Sequence, residues 1–424
     1  MTRAVALIDG EHYASTVHDA LSELPYEFVG AVLVGGTEKL RDGADYGVPV
    51  ARELEAALAG WEPDVVVDLS DEPVLGPRAR FALASRVLAA GVPYVGADFR
   101  LDPPEFEPFA IPSIAVFADG KRLGKTAVTA HLSRLLARDR DVLIVAMGRG
   151  GPRSPEVVDS APSVQSLLEL SRLGRHAASD HLELAAVAGV PAIGCRRCGG
   201  GLAGAVATSN VAAGLRLALD RSPDLVVFDS SGAAIPPVAT GSRLLVTSTF
   251  NAPEDVTGYL NAYRILLADL VVITMADEGT PHEALTAAIR KVKPDMRVIA
   301  TMLRPRPLAP VAGKRVAYFT TARQESLASL ADHLRTEHGA EVVGVSRNLS
   351  DRGALERDLH ALDAEVYLTE IKAGGIDVVA EAGAARGVEV VLATNDVIPL
   401  PGAPPLEPEL RALADAAQRE PVGA

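Results

Sequence analysis

A short segment near residue 120 combines residue types that bind phosphate. The apolar run Ile114–Phe117 leads into a polar loop, and Gly124-Lys125-Thr126 then begins a helix rich in Ala and Leu. Backbone N–H groups of such a loop and the positive N-terminal end of the helix surround phosphates. Lys125 is expected to reach the β- and γ-phosphates, and the Thr126 hydroxyl to ligate Mg²⁺. The motif predicts a nucleoside triphosphate site; a chance Gly-Lys-Thr at an ordinary strand–helix turn is the alternative.

The loop departs from the usual spacing of this motif. Asp119 stands where the first glycine is expected, and Gly120 follows one position later. A second lysine, Lys121, lies inside the loop, which is typical of dimeric P-loop ATPases and of ATP-dependent synthetases related to dethiobiotin synthetase. The predicted nucleotide-binding residues are Gly120, Lys121, Arg122, Gly124, Lys125 and Thr126.

Asp229 is the candidate acidic residue of this site. It ends the apolar run Leu225–Phe228, and ligand crevices in such sheets lie at the carboxyl ends of strands. An acid at this position is expected to hold Mg²⁺ together with Thr126. The alternative is a solvated aspartate at a strand–turn junction. The predicted catalytic set is Lys125, Lys121, Asp229 and Arg149.

Two glycine-rich loops carry paired arginines. Arg149 and Arg153 lie in the loop 147–153, and Arg196 and Arg197 separate Cys195 from Cys198. Glycines allow close approach of the backbone to a ligand, and guanidinium groups bind phosphate oxygens in pairs. We expect phosphate binding at both loops, with solvated arginines as the alternative. The CxxC spacing also fits half of a zinc site, although the chain has no other cysteine.

Further polar candidates lie at strand ends and near block boundaries. Asp9, Glu11 and His12 follow the first apolar run and could orient a substrate, bind a cation or move a proton. A polar turn that caps a helix explains them equally well. Arg304 and Arg306 are additional candidate substrate-binding residues, and Lys372 is a weaker candidate.

Bulk composition limits the possible partners and location. The chain has 424 residues, a formal net charge of −14, two cysteines, and 48% hydrophobic but only 4% aromatic residues. The acidic balance gives no electrostatic footprint for nucleic acid or for an anionic membrane. No signal peptide and no apolar run of membrane-spanning length is visible. These features predict a cytoplasmic protein whose anionic substrate needs a local basic pocket.

Apolar runs that alternate with helical patterns predict an α/β fold, because this alternation is typical of βαβ units with a parallel sheet. We expect a central P-loop domain with a doubly wound, mainly parallel sheet, flanked by two smaller α/β domains. Proline-rich segments at 101–109 and 304–310 separate the blocks. The predicted domains are 1–105, 112–308 and 313–424.

Six unusual strings occur in a characteristic order along the chain. They are Asp9-Gly-Glu-His-Tyr13, Gly120-Lys-Arg-Leu-Gly-Lys-Thr126, Met147-Gly-Arg-Gly-Gly-Pro152, Cys195-Arg-Arg-Cys-Gly-Gly-Gly201, Ser231-Gly-Ala-Ala-Ile-Pro-Pro237 and Leu303-Arg-Pro-Arg-Pro307. Over nearly its whole length the chain resembles the cyclic 2,3-diphosphoglycerate synthetases. One departure is plain, since Asp229 and Ser230 stand where that family is expected to have a glutamate and a glycine.

The resemblance implies an activity and its cofactors. It implies an ATP- and Mg²⁺-dependent closure of an intramolecular phosphoanhydride in 2,3-diphosphoglycerate, a small polyanion of charge about −4 to −5 at neutral pH. A homodimer is implied by analogy with related ATPases. Two other classes stay open: a ligase or kinase of the same scaffold acting on another polyanion, and a non-enzymatic nucleotide switch. A basic amphipathic tail would support the switch, but the C-terminal segment is rich in Pro and Ala and is acidic.

Overall fold

The computed structural model describes residues 1–41, 43–277, 281–372 and 374–419. The N-terminal part contains β1 (Arg3–Asp9), α1 (Ala14–Glu23), β2 (Glu27–Gly35), β3 (Val50–Ala51), α2 (Leu54–Trp61), β4 (Val65–Asp68), α3 (Pro77–Ala89), β5 (Tyr94–Val95) and β6 (Arg100–Leu101).

The middle part begins with the loop-bearing strand. It contains β7 (Ser113–Ala118), α4 (Lys125–Leu136), β8 (Val142–Gly148), β9 (Glu156–Val158), α5 (Val164–Arg172), α6 (Asp180–Ala188), β10 (Ala192–Cys198), β11 (Thr208–Ser209), α7 (Val211–Arg221), β12 (Leu225–Asp229), β13 (Ser242–Ser248), α8 (Pro253–Thr257), α9 (Asn261–Leu267), β14 (Leu270–Thr274), α10 (His282–Val292) and β15 (Arg297–Pro307).

The C-terminal part restarts the alternation of strands and helices. It contains β16 (Arg315–Phe319), a 3₁₀ turn (Gln324–Ser326), α11 (Leu327–His338), β17 (Glu341–Ser346), α12 (Arg352–Ala361), β18 (Val366–Glu370), a π-helical segment (Gly375–Ala380), α13 (Glu381–Arg386), β19 (Glu389–Pro399) and α14 (Leu406–Arg419).

The chain divides into two compact units. Unit 1 comprises Met1–Glu105, Pro253–Leu267 and Ala287–Asp295, and unit 2 comprises Phe106–Ala252, Ala268–Thr286 and Met296–Ala424. Unit 1 has a sheet of order β3-β2-β1-β4-β5-β6, in which the first five strands are parallel and β6 is antiparallel. Its central strand β1 is buried from Ala4 to Asp9, as expected for a strand covered on both faces.

Unit 2 is built on one large sheet. Its strand order is β11-β10-β8-β12-β7-β13-β14-β15-β19-β18-β16-β17, with β9 paired to β10. The strands β7, β8, β12 and β14 are buried at every residue, which matches their continuous apolar sequences. The predicted α/β class with a mainly parallel sheet is confirmed.

The second proline-rich segment is part of a strand and is not a break in the sheet. The N-terminal half of β15 pairs in parallel with β14, and its residues 301–307 pair antiparallel with β19. Pro305 and Pro307 have no N–H to donate, and β14 no longer runs beside them on the other edge of β15. Proline is tolerated there, and the four C-terminal strands therefore extend the sheet that carries the phosphate loop.

Candidate active site

The phosphate loop joins β7 to α4 and has two left-handed residues. Arg122 has φ of 60° and Gly124 has φ of 79°. A Cβ atom at position 124 would lie 2.7 Å from Cδ1 of Leu303, so only glycine fits between the loop and β15. The hydroxyl of Thr274 donates a 2.7 Å hydrogen bond to the carbonyl of Leu123 and anchors the same turn.

Asp119, the residue in place of the usual first glycine, has a structural role. Its carboxylate accepts a 2.7 Å hydrogen bond from the Thr247 hydroxyl and a 3.4 Å contact from the Asn251 amide. Both donors lie at the end of the neighbouring strand β13 or just after it. The carboxylate thus ties the start of the loop to the sheet, a task that a glycine could not perform.

Lys125 and Asp229 form a buried ion pair across two neighbouring elements. The Lys125 ammonium lies 2.5 Å from Oδ1 of Asp229, and the Thr129 hydroxyl donates to the same oxygen at 2.6 Å. Burial raises the pKa of the Asp229 carboxyl, and the lysine and the hydroxyl offset only part of that shift. A further positive charge beside Asp229 would therefore stabilise its ionised form.

A cavity of about 720 Å³ is lined by Lys125 and by Ser230, the residue that follows Asp229. The loop residues Lys121, Arg122 and Lys125 line it together with Arg149. Lys121, Arg122 and Arg149 are exposed, and none of them has a hydrogen-bond or ion-pair partner among the described residues. Three cations without partners beside a phosphate loop make this side of the cavity suited to a polyanion.

The prediction of a loop at Arg196 and Arg197 is wrong, because both lie in strand β10. This end of β10 is tied to the loop of Arg149 and Arg153 by Asn210. Its side-chain oxygen accepts from the Arg196 N–H at 2.7 Å, and its amide donates to the carbonyls of Pro152 and Arg153 at 3.1 Å. The guanidinium of Arg197 donates to the carbonyl of Ser231 at 2.6 Å, and Ser231 lines the cavity. The sequence strings did not point to Asn210, because its role depends on a contact between distant segments.

The cysteines of the CxxC motif differ in environment. Cys195 is buried and Cys198 is exposed. Burial raises the pKa of the Cys195 thiol to about 12, which disfavours the thiolate that metal binding needs. Within the described residues, no three His, Cys, Asp or Glu side chains are grouped so that they could share a metal ion. Cys195 packs as a small apolar side chain.

Arg304 and Arg306 are already paired with acidic residues. Arg304 forms an ion pair with Asp277, and Arg306 lies 3.3 Å from Asp396. Neither arginine is among the residues that line the cavity. In the structure as described, the sequence candidates on β15 therefore neutralise neighbouring carboxylates.

Asp9, Glu11 and His12 lie in unit 1, where they form a hydrogen-bonded cluster. The buried Asp9 carboxylate accepts from the N–H groups of Glu11 and Asp71 and lies 2.8 Å from Nδ1 of His12. Burial would raise the pKa of Asp9, but these hydrogen bonds outweigh it and lower the pKa. Glu11 accepts from the N–H of Thr37 at 3.2 Å. The cluster fixes the ends of β1 and of the strand beside it.

The C-terminal part of the chain supplies further cavity residues, of which the sequence analysis had included Lys372 but not Glu370 or Arg323. Glu370 ends β18 and lines the cavity with Arg323 and with Lys372, whose ammonium lies 2.8 Å from Glu183. Burial raises the pKa of Glu183, and Lys372 opposes that shift. The strand-end rule that selected Asp229 also selects Glu370, but the sequence does not reveal that Glu370 and Ser230, the residue after Asp229, line one cavity.

No helix within the described residues is both long and apolar enough to cross a membrane.

Three family models match successive parts of the chain. The N-terminal domain of cyclic 2,3-diphosphoglycerate synthetase matches residues 3–102, its P-loop domain matches 113–302 and its C-terminal domain matches 307–396. Together they cover most of the sequence.

Curated proteins of the same description align over nearly the full length. The cyclic 2,3-diphosphoglycerate synthetase of Rubrobacter xylanophilus is 48% identical, with 98% of both chains covered. That of Methanothermus fervidus is 38% identical, with 93% of this chain and 92% of the relative covered. Among solved structures, LpxK from Aquifex aeolicus in complex with ATP is similar with a TM-score of 0.42 at 15% identity, covering 74% of this chain and 90% of LpxK.

Proposed function

The chain belongs to the cyclic 2,3-diphosphoglycerate synthetase family, and on that premise we propose that it closes a phosphoanhydride ring in 2,3-diphosphoglycerate at the expense of ATP. The overall change is ATP plus 2,3-diphosphoglycerate to cyclic 2,3-diphosphoglycerate, ADP and inorganic phosphate. The observation that carries the proposal is the convergence of Lys125, which is paired with Asp229, and of Lys121, Arg122 and Arg149, whose side chains have no partner among the described residues, at one cavity. Such a site holds two polyanions side by side.

The donor set of the cavity fits Mg²⁺. The ion prefers oxygen ligands and is usually held by one or two carboxylates together with substrate phosphates and water. Thr126 and Ser230 line the cavity, and Asp229, which directly precedes Ser230, would supply the carboxylate. The buried hydroxyl of Ser230 has no hydrogen-bond partner among the described residues. An orphaned buried hydroxyl next to a buried carboxylate supports a ligand at this point. When bound, Mg²⁺ neutralises charge on the transferred phosphoryl group.

The first chemical step in this proposal is phosphoryl transfer to the substrate. An oxygen of one substrate phosphate attacks the γ-phosphorus, the bond between γ-phosphorus and bridging oxygen breaks, and ADP leaves. Lys125 contacts the β- and γ-phosphates, while Lys121 and Arg149 offset the charge of the attacking phosphate. The product is a linear phosphoanhydride on the substrate.

Ring closure follows without a second substrate. The neighbouring substrate phosphate attacks the substrate phosphorus that carries the new anhydride. Inorganic phosphate leaves and takes with it the substrate oxygen that had attacked the γ-phosphorus. Because both groups belong to one molecule, orientation alone can lower the barrier by up to about 7–11 kcal/mol. Arg153, Arg196 and Arg197 do not line the cavity. They are proposed to hold the substrate close to this geometry, since Asn210 ties the loop of Arg153 to the end of β10.

Several finer points belong to the same proposal. Asp9, Glu11, His12, Arg304 and Arg306 are kept as candidate substrate-binding residues. The cytoplasm as location, a homodimer as assembly and the three predicted domains as functional parts are likewise proposed. Gly120 and Gly124 are proposed to bring the loop backbone close to the phosphates.

The experiment is an incubation of the full chain with ATP, MgCl₂ and 2,3-diphosphoglycerate, followed by ³¹P NMR. A new cyclic anhydride signal should grow in step with ADP and inorganic phosphate. Omission of the substrate, with all else equal, is the control for uncoupled ATP hydrolysis. Release of ADP without a new anhydride signal would contradict the proposal and favour another polyanionic substrate or a nucleotide switch.

A further inference from the structure

The position of the ion pair fixes the direction in which a bound nucleoside triphosphate must run. In the sheet of unit 2, β12 and β13 lie on opposite sides of β7. Asp229 ends β12, so the γ-phosphate end belongs on that side of the loop. The triphosphate is a linear chain, and the nucleoside must therefore extend over the ends of β13 and β14.

The cavity wall at those strand ends contains a stacked pair of side chains. Phe250 follows β13 and lines the cavity, and the guanidinium carbon of Arg323 lies 3.5 Å from the centre of its ring. Within the part of the chain that the structure describes, the guanidinium of Arg323 has no hydrogen bond or ion pair. Phe250 covers one face of the guanidinium. The Arg323 side chain is exposed and borders the cavity.

Glu370 determines where Arg323 is placed. One carboxylate oxygen of Glu370 accepts from the Thr320 hydroxyl at 2.6 Å, and the other accepts from the Thr321 hydroxyl at 3.0 Å. The Thr320 hydroxyl in turn accepts from the Ala322 N–H at 3.1 Å. These contacts hold the turn immediately before Arg323, and the contact with Phe250 places the guanidinium beside the cavity.

From this arrangement we infer that the C-terminal strands provide the nucleobase site, in which the base of the triphosphate stacks on the Arg323–Phe250 pair. Planar guanidinium groups and aromatic rings both stack on bases, and the cation of Arg323 strengthens the contact. Met275 and Leu330 add apolar surface to the cavity. The inference rests on the proposed use of ATP, and it gives the C-terminal part of the chain a binding role.

The test compares ATP with inorganic tripolyphosphate, which has the phosphates but no base. Affinities of the full chain for both ligands are measured by calorimetry with MgCl₂ present. Arg323→Ala and Phe250→Ala should each weaken ATP binding by about 5- to 150-fold, the range that corresponds to loss of one stacked base. Binding of tripolyphosphate should stay within about twofold of wild type, which also shows that the variants are folded.

Two further variants sharpen the result. Arg323→Lys keeps the charge but loses the planar group, and it should resemble Arg323→Ala. Arg357→Ala removes an exposed arginine on α12 and should bind both ligands as wild type does.

Unchanged ATP affinity in Arg323→Ala and Phe250→Ala would overturn the inference. An equal loss for ATP and tripolyphosphate would overturn it as well, because Arg323 would then be a phosphate ligand. A chain that shows the predicted binding pattern but forms no cyclic product would contradict the proposed reaction and leave the nucleobase site intact.

Discussion

Asp9 and Asp229 are both buried aspartates at the end of a parallel strand, yet their surroundings act on them in opposite directions. In unit 1, Asp9 accepts hydrogen bonds from two backbone N–H groups and lies against His12, so its pKa is lowered. In unit 2, Asp229 receives Lys125 and Thr129, but burial still raises its pKa. A carboxylate at the end of a strand can thus be fully satisfied by local hydrogen bonds, as Asp9 is, or can still be stabilised by a further cation, as Asp229 can. We propose that the second kind, Asp229, takes part in the reaction.

The largest loss of activity is expected for substitutions of Lys125 and Asp229. Lys125→Gln and Asp229→Asn should each lower kcat for ADP release by about 10²- to 10³-fold, the usual cost of losing a preorganised charge at a transition state. Steady-state assays with saturating ATP measure this. A matched thermal-unfolding measurement separates loss of catalysis from loss of folding. If Asp229→Asn kept a kcat within about twofold of wild type, Asp229 would have no role in the reaction.

A second contrast lies between two arginines of unit 2. Arg149 lines the cavity without a partner, whereas Arg304 is paired with Asp277. Arg149→Ala should lower kcat/KM for 2,3-diphosphoglycerate by about 10- to 100-fold, as expected for a lost hydrogen bond to a charged group. Arg304→Ala should have the smaller effect on kcat/KM. The reverse order would show that the paired arginine exchanges its partner for the substrate.

A third prediction concerns the completed network around Asp9. Asp9→Asn should lower the free energy of unfolding at pH 7 by about 1.5–3 kcal/mol, because it weakens hydrogen bonds to an ionised group. The folded-state pKa of Asp9 lies below its ordinary value of 3.8, so its stabilisation is present above that pH and is lost as the pH falls through the folded pKa. Denaturant unfolding from pH 7 to pH 2.5 measures this.

In that series, wild type should lose stability more steeply than Asp9→Asn below about pH 4, and the two curves should converge in acid. Parallel curves would show that Asp9 binds its proton as tightly in the folded state as in the unfolded state. The pKa of Asp9 would then not be lowered by folding, and Asp9 would not differ from Asp229 in the direction proposed.

The smallest effect is expected for a neutral contact that only positions other groups. Asn210→Ala removes the side chain that joins the loop 147–153 to the end of β10. It should lower the free energy of unfolding by about 1 kcal/mol. The KM for 2,3-diphosphoglycerate should rise while the affinity for ATP stays unchanged, because the hydrogen bonds described for the Asn210 side chain go to Pro152, Arg153 and Arg196 and not to the phosphate loop. An equal change in both parameters would point to a general loss of structure.

The sequence predicted the local features of this fold well. The strand–loop–helix context of Lys125, the acid at the end of β12 and the α/β alternation follow from patterns within about ten residues. Pro305 and Pro307 suggested a break, because a proline removes an N–H wherever it lies; only the pairing of β15 with β14 and β19 explains why none is needed there.

Contacts between distant segments could not be predicted in this way. The strand-end rule selects Glu370, but its placement beside the cavity depends on how the C-terminal strands join the sheet through β19. The pairing of Arg304 with Asp277 also depends on tertiary structure, and it distinguishes this arginine from Arg149, although both occur in conspicuous motifs.

The most direct test of the account follows oxygen atoms through one turnover. 2,3-Diphosphoglycerate labelled with ¹⁸O in the non-bridging phosphate oxygens is incubated with unlabelled ATP and MgCl₂, and the released inorganic phosphate is analysed by mass spectrometry. Phosphoryl transfer to a substrate phosphate followed by ring closure predicts one ¹⁸O atom in each phosphate released. Inorganic phosphate that carries no oxygen from the substrate would contradict the proposed sequence of steps.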